Sequence, residues 1–250
     1  MLILFFHYLM NQQLLIYCII IFISAFLGGA VTFFHRWSDE LLHKFLSFGA
    51  GIFIGTVFLH LLPEAFAIDQ TNSVAFFVLL GFMIVFFVEK FLFIKGKEGY
   101  DYSHLVISIT ALIGLSLHSF IAGLGLAVGS YYPRLGSVIF ISILAHKTTA
   151  AFSLSSLFLL AKMSFKKSIG FLLLFSLMTP LGALIFAPLI GIEKGSLLAP
   201  LMGLTAGTFL YVAVGELLPE VFHTKENRWI KLLLLLLGII VMGLLVKGHH

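Results

Sequence analysis

Apolar residues dominate the chain in eight long stretches that are separated by short polar segments. The stretches cover residues 12–34, 44–66, 73–95, 104–129, 135–161, 167–190, 197–222 and 229–247. Each is close to the roughly 20 residues that a helix needs to cross a bilayer. Apolar residues surround every side of each stretch, without the alternation that is typical of barrel strands. The pattern therefore predicts an all-α, polytopic membrane protein with eight transmembrane helices.

The composition agrees with a protein embedded in a bilayer. The 250 residues are 60% hydrophobic and 10% charged, with a mean hydropathy of +1.12, whereas a soluble domain is about 25% charged. Because the eight stretches take up most of the chain, we expect one membrane domain over residues 1–250 and no soluble catalytic domain. The single cysteine, Cys18, excludes an intramolecular disulfide and a paired-cysteine metal site.

Lysine and arginine predict the orientation, because these residues concentrate in cytoplasmic loops. Of the 15 lysines and arginines, eleven lie in or beside the loops after spans one, three, five and seven, and three lie on the opposite side. We therefore predict that the odd-numbered loops are cytoplasmic and that both termini are outside. The remaining one, Lys147, lies inside span five.

Spans two and seven resemble each other at a constant offset of 156 residues. The matching pairs are Gly51/Gly207, Phe53/Phe209, Leu61/Leu217, Leu62/Leu218, Pro63/Pro219, Glu64/Glu220 and Phe66/Phe222. Because the two spans cross the membrane in opposite directions, the repeat is inverted, as in many transporters. We predict a 3 + 2 + 3 plan, with a first repeat (1–95), two central spans (96–162) and a second repeat (163–250). The functional site is then expected on the central spans.

Two histidines lie near the middle of those central spans. His118 is in span four and His146 is in span five. Ionisable groups at membrane depth are costly and usually functional, and neutral imidazole binds zinc, iron, nickel and copper. The two histidines therefore predict a shared metal or proton site. Lys147 follows His146, and a fixed positive charge there would limit the site to one ion.

Further polar pairs flank the two matching prolines. His60 and Glu64 lie near the outer end of span two, and Glu216 and Glu220 lie near the cytoplasmic end of span seven. One interpretation is that they form the outer and inner mouths of a path through the central site. The alternative is that they are ordinary charged ends of membrane helices, and the sequence leaves both open.

Taken together, these residues resemble the ZIP family of divalent metal transporters, whose members import zinc, iron or manganese into the cytosol. The segment from His118 to Gly123 resembles the family's His-Ser/Asn-x-x-Asp/Glu-Gly motif. His146-Lys147 resembles the His-Lys variant of one branch, and segments of spans two and seven resemble further family segments.

The resemblance implies a role for individual residues. His118 and His146 match metal ligands, and Ser119 matches a flanking position that often holds a ligand asparagine. Lys147 matches the place where two-metal members carry an acid, which implies a single-metal site. Ala122 departs from the family pattern, because a bridging Asp or Glu is usual there.

The sequence thus predicts a multi-pass transporter of the cell membrane, plasma or inner, that imports a divalent ion, above all Zn²⁺. We expect no catalytic activity and no cofactor besides the transported ion. Its expected partners are the metal ion and the lipid bilayer, with no nucleic acid, and a homodimer is left open. Ala122 keeps an alternative open, namely a degenerate or proton-coupled carrier that has lost ordinary metal transport.

Overall fold

The computed structural model describes residues 2–34, 37–92, 100–130, 133–187, 198–223 and 226–247. Within these ranges, every regular element is a helix, and eight helical spans are long and apolar enough to cross a membrane. Five of them consist of one α-helix each: span one (Leu2–Ala30), span four (Tyr100–Ser130), span five (Pro133–Leu160), span six (Phe165–Phe186) and span eight (Arg228–Lys247). The predicted all-α class with eight spans is therefore confirmed.

The other three spans each contain a π-helical turn. Span two comprises Asp39–Thr56, the π turn Val57–Leu61 and Leu62–Ile68, and span three comprises Ser73–Phe87 and the π turn Val88–Leu92. Span seven comprises Leu198–Leu210, the π turn Tyr211–Leu217 and Leu218–Phe222. The predicted ends of spans three and six, and the predicted start of span seven, lie outside the described residues.

Local capping explains where span two begins. Span two begins at Asp39 rather than at the predicted residue 44, because the Ser38 side chain accepts a hydrogen bond from the Leu41 amide and caps the helix. Before span three, the Asp69 carboxylate accepts hydrogen bonds from Ser73 and Thr71, and these lower the pKa of Asp69. Capping residues are polar, so a search for apolar residues misses the first turn.

The prolines of spans two and seven follow directly after their π turns. Pro63 and Pro219 each stand in the first turn of the last α-helical segment of the span. A proline has no amide hydrogen and its ring clashes with the carbonyl four residues before it, so it disturbs α-helical bonding in the preceding turn. The wider π turn accommodates this, and such turns frequently occur at functional sites.

Glycines bring two pairs of spans into backbone contact. Span two packs against span eight, where a Cβ atom on Gly51 would collide with the carbonyl oxygen of Leu235. Span seven packs against span three, where a Cβ atom on Gly207 would collide with the carbonyl oxygen of Val78. Gly51 and Gly207 are one of the pairs matched at the offset of 156 residues, and the inverted repeat stays a prediction.

The central spans pack against several others, although some of their apolar side chains, such as Leu117 and Ile141, are exposed. Span four packs against spans five and six, and span five also packs against span one. The outer spans carry exposed apolar side chains suited to lipid, for example Leu27, Phe76, Leu184 and Leu244. The middle of the bundle is therefore screened from lipid by spans one, three, six and eight.

The glycine contacts generate the first prediction. Replacing Gly51 or Gly207 with alanine should destabilise the protein by about 1–3 kcal/mol, because a methyl group has no room against the facing carbonyl. Thermal unfolding of the detergent-purified protein measures the effect. Gly170→Ala is the matched control, since a Cβ atom there meets nothing within 4 Å. Equal unfolding temperatures for all three variants would contradict the close backbone contacts.

Candidate metal centre

The two predicted histidines meet at the centre of the bundle. The Nε2 atoms of His118 and His146 are 3.3 Å apart, and each residue is only 3% exposed. A tetrahedral zinc ion with Zn–N bonds of roughly 2.0–2.1 Å would separate two ligand nitrogens by roughly 3.3–3.4 Å. The pair therefore has the spacing of two ligands of one ion, and also of two nitrogens that share a proton.

Small residues allow spans four and five to approach each other closely. A Cβ atom on Gly129 would lie 2.8 Å from the Cα atom of Gly136, so the helices touch through their backbones at this crossing. Glycine at such positions is typical of helix contacts in membranes. The contact lies near the connection between the two helices, about 15 Å along their axes from His118 and His146 at 1.5 Å per residue.

An aromatic ring covers the histidine pair. The Phe209 ring stacks on the His118 imidazole with 3.6 Å between ring centres, and its other neighbours include the ring of Phe53 at 5.0 Å. Both phenylalanines are completely buried. The sequence analysis did not assign them to the site, although their match at the offset of 156 residues was a usable signal. They form an apolar wall where spans two and seven meet the pair.

Lys147 is directed to span six. Its ammonium donates a hydrogen bond of 3.2 Å to the carbonyl oxygen of Phe175, and it lies 3.8 Å from the centre of the Phe175 ring. Lys147 is only 1% exposed. A carbonyl oxygen and an aromatic face both stabilise a buried cation. These contacts give the buried ammonium of Lys147 partners on span six.

The neighbours of His118 provide little charge. Ser119 is buried, and its hydroxyl makes no hydrogen bond with the residues that the structure describes. Ala122 lies one turn from His118 and packs against an apolar cluster that includes Leu126 and Ile143. A methyl group thus lies between spans four and five at the position where the family motif has an acid.

The polar pair of span two, His60 and Glu64, is in contact. The Nδ1 atom of His60 lies 3.4 Å from a carboxylate oxygen of Glu64, whose side chain is 43% exposed. His60 belongs to the π turn of span two. The pair is therefore accessible at the end of span two, as expected of either a mouth or an ordinary helix end.

The two glutamates of span seven are not equivalent. Glu216 is buried in the π turn beside Thr110, without a hydrogen bond of good geometry to the described residues. Glu220 instead meets histidines. Its Oε1 atom lies 3.0 Å from Nε2 of His43 and 3.2 Å from Nδ1 of His104.

The sequence analysis missed His43 and His104 as functional residues. His43 is near the start of span two and His104 near the start of span four, while Glu220 is near the end of span seven. The predicted orientation places these three helix ends on the same side of the membrane. From that shared side, the sequence could have suggested that His43, His104 and Glu220 lie close together.

Comparison with known proteins assigns the chain to a family. The family model described as "ZIP Zinc transporter" matches residues 12–104 and 94–246, which together cover most of the chain. The chain belongs to the ZIP family. This confirms the family resemblance, and because ZIP proteins are transporters, it also confirms that the chain is not an enzyme.

Three relatives illustrate the extent of the similarity. Zinc transporter ZIP13 of Pongo abelii is 29% identical over 225 residues, which are 81% of this ZIP chain and 66% of that protein. Protein zntD of Dictyostelium discoideum is 36% identical over 142 residues, which are 54% of this chain and 21% of zntD. Zinc transporter ZIP1 of Mus musculus is 34% identical over 139 residues, 54% of this chain and 42% of that protein. The ZIP chain therefore spans between about a fifth and two thirds of these relatives.

Lys147 can be tested for its effect on the stability of this ZIP chain. Lys147→Met should unfold at the same temperature as the wild type or higher, because an apolar side chain of similar volume removes the cost of burying a charge. Lys147→Ala should be destabilised by about 2 kcal/mol or more, because it leaves a cavity. Thermal unfolding in detergent distinguishes them. A methionine variant as unstable as the alanine variant would show that the ammonium itself holds spans five and six together.

Proposed function

We propose that this chain transports divalent metal ions, above all Zn²⁺, from outside into the cytosol, and that one ion at a time is held between His118 and His146. The observation that carries the proposal is the 3.3 Å separation of the two Nε2 atoms in the middle of the bundle. The family assignment and the names of the zinc-transporting relatives support the choice of ion.

The donor atoms favour a borderline metal that is bound weakly. Two imidazoles suit zinc and its neighbours in the first transition row, whereas magnesium and calcium prefer oxygen ligands. Ala122 and Ala150 lie one turn after His118 and His146, so neither of these positions offers a carboxylate. Water and the buried Ser119 hydroxyl would complete the shell. A site of low negative charge is suited to passage rather than storage.

A path through the site is defined by residues of spans two and seven. In the proposed direction, His60 and Glu64 collect the ion at the outer end of span two. Glu216 and then Glu220 receive it on the cytoplasmic side of the histidine pair. The stacked rings of Phe53 and Phe209 lie beside the pair and would have to separate as the spans of the two repeats rock against spans four and five.

A second candidate function is a degenerate or proton-coupled carrier without ordinary metal transport. Ala122 is the observation that favours it, because the methyl group removes a main ligand of the family motif. The spacing of His118 and His146 also suits a shared proton. Measurements of metal uptake separate the two candidates.

The central test is zinc uptake into metal-free liposomes. Uptake should fall by at least about tenfold in His118→Ala and in His146→Ala, because loss of even a supporting partner of a ligand typically costs 10–100-fold in metal affinity. Ser176→Ala is the control, since it removes a buried hydroxyl that, among the described residues, bonds the Leu172 carbonyl of its own helix. Equal uptake by all four proteins would exclude the two-histidine site.

A carboxylate at position 122 tests the ligand set. Ala122→Asp should lower the KM for zinc on the order of tenfold, equivalent to 1.4 kcal/mol, because positions four apart share one face of a helix and the acid would face the ion beside His118. Ala122→Asn is the matched control without the charge. If both variants keep the wild-type KM, Ala122 does not face the ion. If the wild type carries no zinc and Ala122→Asp does, the degenerate carrier is the correct description.

A further inference from the structure

A second cluster of metal-ligating side chains lies away from the histidine pair, where spans two, four and seven come together. It consists of His43, His104, Glu220 and His223. The first three are buried, and the His223 side chain is 34% exposed. The ring centres of His43 and His223 are 5.1 Å apart, and those of His104 and His223 are 6.4 Å apart. Three imidazoles thus surround one carboxylate near the end of the bundle.

Hydrogen bonds to backbone carbonyls fix two of the rings. The Nδ1 atom of His43 bonds the Asp39 carbonyl oxygen, and the Nδ1 atom of His223 bonds the Glu220 carbonyl oxygen. A carbonyl can only accept, so both Nδ1 atoms carry the proton, and in a neutral ring Nε2 carries the lone pair. Histidines that bind metals typically donate their other ring N–H in this way.

The fixed tautomer of His43 creates an unusual contact. Its Nε2 atom faces Glu220 Oε1 at 3.0 Å, and a neutral His43 with Nδ1 protonated would bring two electron-pair acceptors together. A cation has to lie between them, either a proton on the ring or a metal ion. His104 approaches the same carboxylate oxygen at 3.2 Å, so two imidazoles compete for one position.

The spacing is close to that of a metal shell. One ligand atom each from His43, Glu220 and His223 lie within 4.8 Å of one another. The separations of 3.0 and 3.2 Å from Glu220 to His43 and His104 are near the roughly 3.3–3.4 Å between ligands of tetrahedral zinc. Because Nδ1 of His223 bonds the Glu220 carbonyl oxygen, Nε2 would be the atom by which His223 completes the shell.

We propose that His43, His104, Glu220 and His223 form a second divalent-cation site of the zinc type at the cytoplasmic mouth. The binding site rests on its own geometry, and only its role as the place where the transported ion is released rests on the proposed function. Its ligands come from spans two, four and seven, so a bound ion links one central span to both repeats. Three imidazoles and a carboxylate make it a stronger site than the histidine pair.

The test is metal binding by the full-length chain in detergent, with Co²⁺ as the probe. The background is the double variant His118→Ala/His146→Ala, which removes the pair at the centre. This protein should still bind one equivalent of Co²⁺ and show the intense visible absorption of a tetrahedral site. Glu220→Gln and His43→Gln in that background should each weaken binding at least about tenfold, as loss of a ligand does.

Glu40→Gln is the matched control, because this carboxylate lies on the same helix end as His43 but pairs with Lys44. It should bind Co²⁺ like the background protein. Absence of tetrahedral Co²⁺ in the background protein, or equal affinities for Glu40→Gln and Glu220→Gln, would show that the cluster shares only a proton.

A spectroscopic test of His43 does not depend on comparing affinities, which poor folding of a variant could lower. His43→Cys keeps a metal ligand, so it should add a sulfur-to-cobalt charge-transfer band in the near ultraviolet. A folded His43→Cys protein that binds Co²⁺ without this band would overturn the assignment of His43. Because Co²⁺ binding is measured without transport, a wild-type protein that binds Co²⁺ at this cluster but takes up no zinc would count against the proposed function alone.

Discussion

The lipid bilayer offers no hydrogen bonds, so each polar side chain at membrane depth has to find its partner within the bundle. Lys147 meets this constraint with the carbonyl and ring of Phe175, and Tyr211 meets it by donating to Glu89. In the histidine clusters, backbone carbonyls accept from Nδ1 of His43 and of His223, and a shared cation would satisfy the nitrogens that face each other or Glu220. In each of them, electron-pair donors face one another at distances where a proton or a metal ion has to lie between them.

Span seven connects the two clusters. Along one helix it carries Phe209 against the histidine pair, Glu216 in the π turn and Glu220 among the three histidines of the mouth. The proline after the π turn disturbs regular α-helical bonding there, so the middle of the span can change its geometry at a lower cost than a continuous helix. The side chains of the proposed path therefore lie on a segment that is suited to movement.

The sequence predicted the eight spans and the meeting of His118 with His146, because both depend on local pattern and on helix depth. It did not predict the contact of Phe209 with His118, since the rotation of span seven about its axis is set by packing of glycines such as Gly207 against span three. It also missed the pairing of His43 with Glu220, which are 177 residues apart. The hydrophobic pattern describes local structure, so it does not predict a contact between helix ends that are so distant along the chain.

The histidine pair offers two ligands and the cluster around Glu220 offers four, so the two sites would hold an ion with different strength. At the centre, two imidazoles beside the Ala122 methyl group can hold a dication only weakly, because no carboxylate offsets its charge at the adjacent turn. At the mouth, Glu220 supplies that charge and three imidazoles surround it. An ion on the proposed path would thus pass from a weaker to a stronger site on its way inward. The stronger site would lengthen the stay of the ion at Glu220, while the net direction of passive transport would still follow the metal gradient across the membrane.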